Sequence, residues 1–226
     1  KLIKTDSTIF IILLSVTLKP LINFDWMLDF SNSLLILGPP PWTTIIESPN
    51  IFNNFIADLF VLNKLGLSTV VVHGGGPRIK RELEKSNIQS KFIKGLRVTD
   101  KSIINIVESV LIDFNDDIVQ SLNKKGSKGI SLHTKNNNII NVRPESKELG
   151  FVGVPTEVNN EKILNILEQN KVPIISPLGL DRENQTYNIN GDTAAMAIAK
   201  SLKARRLLLM TNVDGVLDKE KKLIEE

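Results

Sequence analysis

The sequence contains no cysteine among its 226 residues. Disulfide frameworks, thiol nucleophiles and cysteine-ligated metals are therefore excluded. Two histidines, His73 and His133, are too few for a histidine-rich metal centre. Aromatic side chains make up only 5% of the chain while 42% of it is hydrophobic, so the core must be largely aliphatic. An excess of one charge is also missing. Lys and Arg number 28 against 25 Asp and Glu, a net charge of +3, and they interleave in stretches such as KRELEK and DKEKKLIEE. Such interleaving describes solvated faces rather than a nucleic-acid-binding stripe. Long apolar runs are scarce too. The apolar core of STIFIILLSVTLKPLINF, from Ile9 to Leu18, is far short of a membrane span, and no small-residue cleavage site clearly follows it. The reading is a cytoplasmic chain with no membrane partner and no nucleic-acid partner. It starts at Lys1 without a methionine and stops inside a charged segment. A fragment with its carboxyl-terminal part missing is the expectation.

From about Asn50 onward, strand-like and helix-like segments alternate. FNNFIADLFVLNKLG carries Phe52, Phe55, Ile56, Leu59, Phe60 and Leu62 at helical spacing and ends at Gly66. STVVVH reads as a buried strand, GPRIKRELEK as a helix with Pro77 near its first turn, and SIINIVESVLIDFNDDIVQSLNKKG as a long amphipathic helix. GISLH and NIINV read as short strands, with 128–153 expected as a hairpin, and FVGVPTEVN as an irregular extended connection. EKILNILEQN is a helix, VPIIS and TYNIN are strands, DTAAMAIAKSL is a helix and RRLLLMT a strand. Strands separated by helices imply crossovers and a mainly parallel sheet covered on both faces. Residues 1–49 hold both tryptophans and GPPPW without this rhythm, and read as a separate atypical segment before one domain over 50–226.

In parallel sheets, ligands collect beyond the carboxyl ends of the strands. Four strand exits carry unusual residues. His73-Gly74-Gly75-Gly76 leads into a helix; bare backbone lets a ligand approach closely, and the N–H groups favour an anion. It is neither GxGxxG nor a Walker sequence, and a tight turn alone would also explain it. His73, ending an apolar strand, fits a satisfied buried residue better than a catalyst. In KGLRVTD, Arg97 offers a fork that could clamp a carboxylate, or is simply a surface arginine. In YNINGDTAAM, Asn188 and Asn190 are two apart and share a face, and Asp192 stands where a helix begins, as an N-cap would. In LLLMTNVDGVLD, a strand ends in Thr211-Asn212 before Asp214-Gly215, which is either a turn or a nucleotide-holding loop.

This ordered set, VVVHGGGP, GLRVTD, ELGFVGVPTEVN, NINGDTAA and LMTNVDGVLD, resembles the amino-acid kinase superfamily and, within it, the acetylglutamate kinases, over roughly residues 51–226. The resemblance implies a three-layer αβα sandwich on a mainly parallel sheet. It implies ATP, as its Mg²⁺ complex, phosphorylating the side-chain carboxylate of N-acetyl-L-glutamate in arginine biosynthesis. By the same resemblance, Gly75 and Gly76 meet substrate and the transferring phosphoryl group through main-chain N–H. Arg97 clamps the α-carboxylate, Asn188 also binds substrate, and Asp192 organises catalytic lysines. Asn212, Val213, Asp214, Gly215, Val216 and Leu217 belong to the ATP pocket, and no resident metal site is implied. L-arginine as inhibitor and a homo-oligomer, dimer or hexamer, are implied as well.

Two departures qualify the match. The family's first strand carries Lys-x-Gly-Gly, and the corresponding place here is read as LLILGPPPW, where Leu34 to Leu37 precede Gly38 and three prolines without a lysine. A second catalytic lysine would belong beyond residue 226. An inactive fragment is therefore expected. The alternatives are a non-catalytic arginine-sensing domain of an acetylglutamate synthase and a kinase acting on carrier-linked aminoadipate.

Overall fold

A computed structural model of the chain describes residues 9–14, 35–37 and 49–210. Its main sheet has six parallel strands: β1 (Ile9–Leu14), β2 (Leu35–Leu37), β3 (Ser68–His73), β6 (Gly129–Leu132), β9 (Val172–Ile175) and β12 (Arg206–Met210), in the order β2-β12-β1-β3-β9-β6. Leu14 is in register with both His73 and Met210, Met210 with Leu37, and Ile175 with Leu132. The strands thus finish at one level. That shared edge is where helix N-termini and loops can converge on a ligand.

Every residue of β3 from Thr69 to His73 is buried, as a central parallel strand requires. One face of the sheet is covered by α1 (Pro49–Lys64) and α3 (Lys101–Lys125), through Phe55, Ile56, Leu59 and Leu62 from the first and Phe114, Ile118 and Leu122 from the second, packed on Val71 and Ile174. The other face is covered by α4 (Asn160–Glu168) and α5 (Gly191–Ser201), through Ile163, Ala194, Ala195 and Ile198 on Val70, Val72 and Ile175. These are the three layers expected from the strand–helix alternation. Among the described residues no helix is long and apolar enough to cross a membrane.

Helix α2 (Gly76–Lys85) lies along α3, with Ile79 and Leu83 against Ile103, Val107 and Leu111. Its position is reinforced by Arg78, whose guanidinium sits 4.0 Å over the Phe114 ring and 2.6 Å from Asp117 of α3. The N-terminus of α3 is capped by the Asp100 carboxylate, which accepts from the N–H groups of Ser102 and Ile103, and it stops at Gly126 in the left-handed region.

Two smaller sheets stand above the carboxyl edge. β4 (Phe92–Ile93) and β5 (Leu96–Arg97) form a tight hairpin whose central Lys94 and Gly95 both have positive φ, the signature of a type I′ turn. β7 (Ile140–Pro144), β8 (Gly153–Val158), β10 (Leu178–Leu180) and β11 (Thr186–Asn188) form a four-stranded sheet in the order β11-β10-β7-β8.

Three expectations are corrected. The 128–153 stretch is not a hairpin: its first strand, β6, joins the main sheet, and its second, β7, pairs with β8. FVGVPTEVN is not irregular, because Gly153 to Val158 form β8. Pro155 hides this, since it donates no N–H, but β8 lies at a sheet edge where that is tolerated. Finally, the strand seated between β3 and β12 is Ile9–Leu14, drawn from the stretch read as separate from the domain, and the Leu34–Leu37 run supplies the edge strand Leu35–Leu37. Six successive apolar residues suit a central parallel position, and three suit an edge. Gly38 and the prolines after it lie outside the described residues.

Candidate functional site

At the end of β3 the chain turns through Gly74 and Gly75 into α2. Gly75 is the N-cap residue with φ −161° and Pro77 follows in the first turn. A Cβ at Gly75 would come within 2.5 Å of Leu111 Cδ2, so any side chain there would have to displace Leu111 of α3. Gly76 is different. A Cβ there would meet nothing within 4 Å and its φ is not positive, so nothing in the described protein demands glycine. Space beside a bare main chain at a helix N-terminus suits an anionic ligand.

The turn forms one wall of a cleft of about 200 Å³. Arg97 and Phe92 of the hairpin line it, as do Asn188, Asn190, Gly191 and Asp192 from the start of α5, with Ile79, Leu111, Val152 and Ile189 supplying apolar surface. Gly75, Gly76, Arg97, Asn188 and Asp192, singled out in the sequence from three separate segments, thus border a single cavity.

Arg97 is held on several sides. One terminal nitrogen donates to Ser90 Oγ, the other lies 3.3 Å from the Gly76 carbonyl, and the guanidinium stacks 4.7 Å from the Phe92 ring centre. Partial burial lowers its pKa from the usual arginine value. An arginine remains cationic under such a change, and here it is a fork fixed over the cleft.

The segment 149–152 ties Arg97 to Asn188. Thr99 N–H donates to the Leu149 carbonyl at 3.0 Å, Phe151 N–H to Thr99 O at 2.7 Å, and Asn188 N–H to Phe151 O at 2.9 Å. The buried Thr99 hydroxyl donates to the Arg97 carbonyl at 2.9 Å and lies 3.5 Å from the Asn188 amide nitrogen. Gly150 makes this passage possible. Its φ is +67°, and a Cβ there would lie 2.4 Å from the Thr99 carbonyl oxygen.

Asp192 is not an N-cap, contrary to the simplest reading of its position. Asn190 caps α5, its Oδ1 accepting from Thr193 N–H at 3.0 Å. Asp192 falls in the first turn instead, its carboxylate released from capping. Its side chain reaches solvent, yet the cleft wall removes enough water to raise its pKa above the ordinary carboxylate value.

His73 is fully buried at the base of the turn. Its Nδ1 lies 3.0 Å from the Gly74 carbonyl oxygen and its ring meets Phe114 edge-on at 4.9 Å. Burial lowers its pKa to about 4, which removes it from acid–base work near neutral pH. Thr99 was not legible as a brace in the sequence, since its contacts with Leu149, Phe151 and Asn188 lie far along the chain; Ser90 and the capping role of Asn190 act over three to seven residues but through residue types that are ordinary there. Asn212, Val213, Asp214, Gly215, Val216 and Leu217 lie outside the described residues.

The amino acid kinase family model matches residues 43–226. The chain belongs to the amino acid kinase family. Among curated relatives, the acetylglutamate kinase of Pelagibacter ubique (strain HTCC1062) is 55% identical over 183 residues, covering 81% of this chain and 64% of the relative. That of Ruegeria pomeroyi (strain ATCC 700808 / DSM 15171 / DSS-3) is 44% identical over 180 residues, covering 79% and 63%. The chain thus spans a little under two thirds of the length of these relatives. Among solved structures, smu.665 from Streptococcus mutans UA159 superposes with a TM-score of 0.72 at 28% identity, covering 93% of this chain and 75% of that one. N-acetylglutamate synthase from Neisseria gonorrhoeae, complexed with coenzyme A and N-acetyl-glutamate, gives 0.72 at 19% identity over 97% of this chain and 45% of that one, which is a likeness of fold alone. The three-layer sandwich accordingly has solved counterparts in fold.

Proposed function

We propose that the chain is the acetylglutamate-binding part of an acetylglutamate kinase. The observation that carries this is the cleft itself, which Arg97, Asn188 and the Gly75-Gly76 main chain line together. The relatives named acetylglutamate kinase support the choice of substrate.

In this reading the Arg97 fork takes the α-carboxylate of N-acetyl-L-glutamate, with Asn188 as a second polar contact. The side-chain carboxylate then lies towards Gly75 and Gly76. Attack of that carboxylate on the γ-phosphorus of ATP forms a new P–O bond as the bond to the β-phosphate oxygen breaks, giving an acyl phosphate and ADP. Two anions must be brought together, so main-chain N–H groups and cations have to offset their repulsion. In this reading Asp192, which borders the same cleft as the glycines, orients such cations. Mg²⁺ enters with the nucleotide as part of that substrate. Among the described residues no cluster of three or more His, Asp or Glu is gathered to hold a metal.

The sequence has no Lys-x-Gly-Gly. Binding without appreciable turnover is therefore expected of this chain alone. Isothermal titration should show N-acetyl-L-glutamate binding more tightly than L-glutamate. Arg97→Met should weaken it by roughly 10- to 100-fold, the worth of a charged two-point contact. Absence of N-acetyl-L-glutamate binding, with L-arginine bound instead, would overturn the reading in favour of an arginine-sensing domain. Robust ATP-dependent hydroxamate formation would overturn the expectation about turnover.

A further inference from the structure

A buried polar chain runs beneath the glycine turn and opens onto no solvent. His73 Nδ1 is 3.0 Å from Gly74 O, and its Nε2 is 3.4 Å from Ser176 Oγ. Ser176 Oγ in turn accepts from Asn115 Nδ2 at 2.9 Å and lies 3.3 Å from the Leu111 carbonyl. Asn115 also donates to the Ile174 carbonyl at 3.0 Å. His73 and Asn115 are fully buried and Ser176 is 1% exposed. His73 ends β3, Asn115 lies mid-way along α3 and Ser176 directly follows β9, so the chain of contacts locks the turn to the two elements behind it.

The direction of each bond follows from chemistry. A carbonyl oxygen only accepts, so the proton of the neutral imidazole must sit on Nδ1, and Nε2 is left as an acceptor that shares the single Ser176 hydroxyl proton with the Leu111 carbonyl. The peptide between Gly74 and Gly75 is trans, and in a trans peptide the C=O and N–H point in opposite directions. Drawing the Gly74 carbonyl down to the imidazole therefore turns the Gly75 N–H up, towards the cleft that Gly74, Gly75 and Gly76 line. Glycines flank this peptide on both sides, so without a restraint it could flip at little cost.

We propose that His73 is a positioning residue, whose Nδ1–H holds the Gly74 carbonyl inward and so aims the Gly75 N–H at the ligand. The proposal rests on the reading of the cleft as an N-acetyl-L-glutamate site, but its geometric core can be tested apart from that reading. It also explains a histidine at a strand end where an aliphatic residue would pack as well. Only a side chain with both a donor and an acceptor in the ring can join Gly74 to Ser176.

Two measurements on the whole chain decide it. Long-range ¹H–¹⁵N correlation spectra of uniformly labelled protein should show His73 neutral with its proton on Nδ1, and an Nε2–H tautomer overturns the proposal. Calorimetry with N-acetyl-L-glutamate should then compare His73→Asn, which keeps an N–H near the Nδ1 position, with His73→Leu, which keeps bulk and loses the donor. Asn should bind within about threefold of the parent, and Leu should bind roughly tenfold more weakly, the scale of one lost hydrogen bond. Urea midpoints are expected to rank the other way, because Leu fills the site and Asn leaves a void. Affinity that follows stability, or a Leu variant that binds like the parent, overturns the positioning role. If the parent itself does not bind N-acetyl-L-glutamate, the functional reading fails. The tautomer, and a change in the Gly75 amide resonance between parent and His73→Leu, still decide the proposal.

Discussion

Acidification from pH 7 towards pH 4 probes the most deeply buried titratable group beside the cleft. The His73 pKa falls from 6.5 to about 4, mainly through burial; the Gly74 carbonyl opposes the change and the nearby Arg78 charge adds to it. Between those values the unfolded chain holds a proton on this ring that the native chain refuses. Stability must therefore fall as pH drops through the window. Above about 6.5 the ring is neutral in both states and the contribution is complete. Below about 4 both states are protonated and nothing more is lost. Each tenfold change in proton affinity is worth about 1.4 kcal/mol, so this one ring should remove about 3 kcal/mol of stability across the window. Urea unfolding followed by circular dichroism at successive pH values would measure this for the parent chain and for His73→Gln. Glutamine has similar polar reach and does not titrate here. Carboxylates elsewhere titrate in both proteins and cancel in the difference. The parent should lose about 3 kcal/mol more than the variant between pH 7 and pH 4. Parallel curves would refute the buried, neutral ring.

Two further substitutions test the supports of the cleft. Asn190→Ala removes the acceptor for Thr193 N–H and should cost about 1 kcal/mol in urea unfolding. Asp192→Asn, at a residue that caps nothing, should change stability by less than about 0.5 kcal/mol; a reversed ranking would show that Asp192 is the cap. Gly150→Ala forces a side chain onto φ +67° and against the Thr99 carbonyl, so a loss of at least about 2 kcal/mol is expected, together with weaker N-acetyl-L-glutamate binding. An unchanged urea midpoint in that variant would mean that the 149–152 stitch does not form as described.

The elements most legible in the sequence were those whose pattern is decided locally. Helix α3 announces itself by apolar residues at 3.6-residue spacing, and the structure buries Ile103, Val107, Leu111, Phe114, Ile118 and Leu122. β3 and β9 are short runs of branched residues, readable as strands buried on both faces. What the pattern could not supply was the partner of each strand. GISLH and NIINV are adjacent in sequence and similar in character, which suggested a hairpin, yet they belong to different sheets. Pairing depends on where crossovers return the chain, and neither segment carries that information. The same holds for Ile9–Leu14. Its unbroken apolar character is compatible with a central strand or a targeting segment, and only its hydrogen bonds to β3 and β12 distinguish the two.

The cleft divides along the same line. Glycines, an arginine and an aspartate at strand exits could be picked out because their residue types are unusual there. The residues that hold them in place are ordinary serines, threonines and asparagines, which occur on any surface. Asn190 shows how much turns on them. From sequence alone Asp192 was an equally good cap for α5, and a capping carboxylate would spend its charge on main-chain N–H groups. Because the amide of Asn190 takes that duty, the carboxylate two residues later stays free, and the cleft wall makes its charge harder to hold. A free, partly desolvated carboxylate gains most from a cation brought close to it. In a cleft already carrying the Arg97 fork and main-chain N–H groups, the proposed function would use Asp192 to recruit positive charge, which transfer between two anions requires.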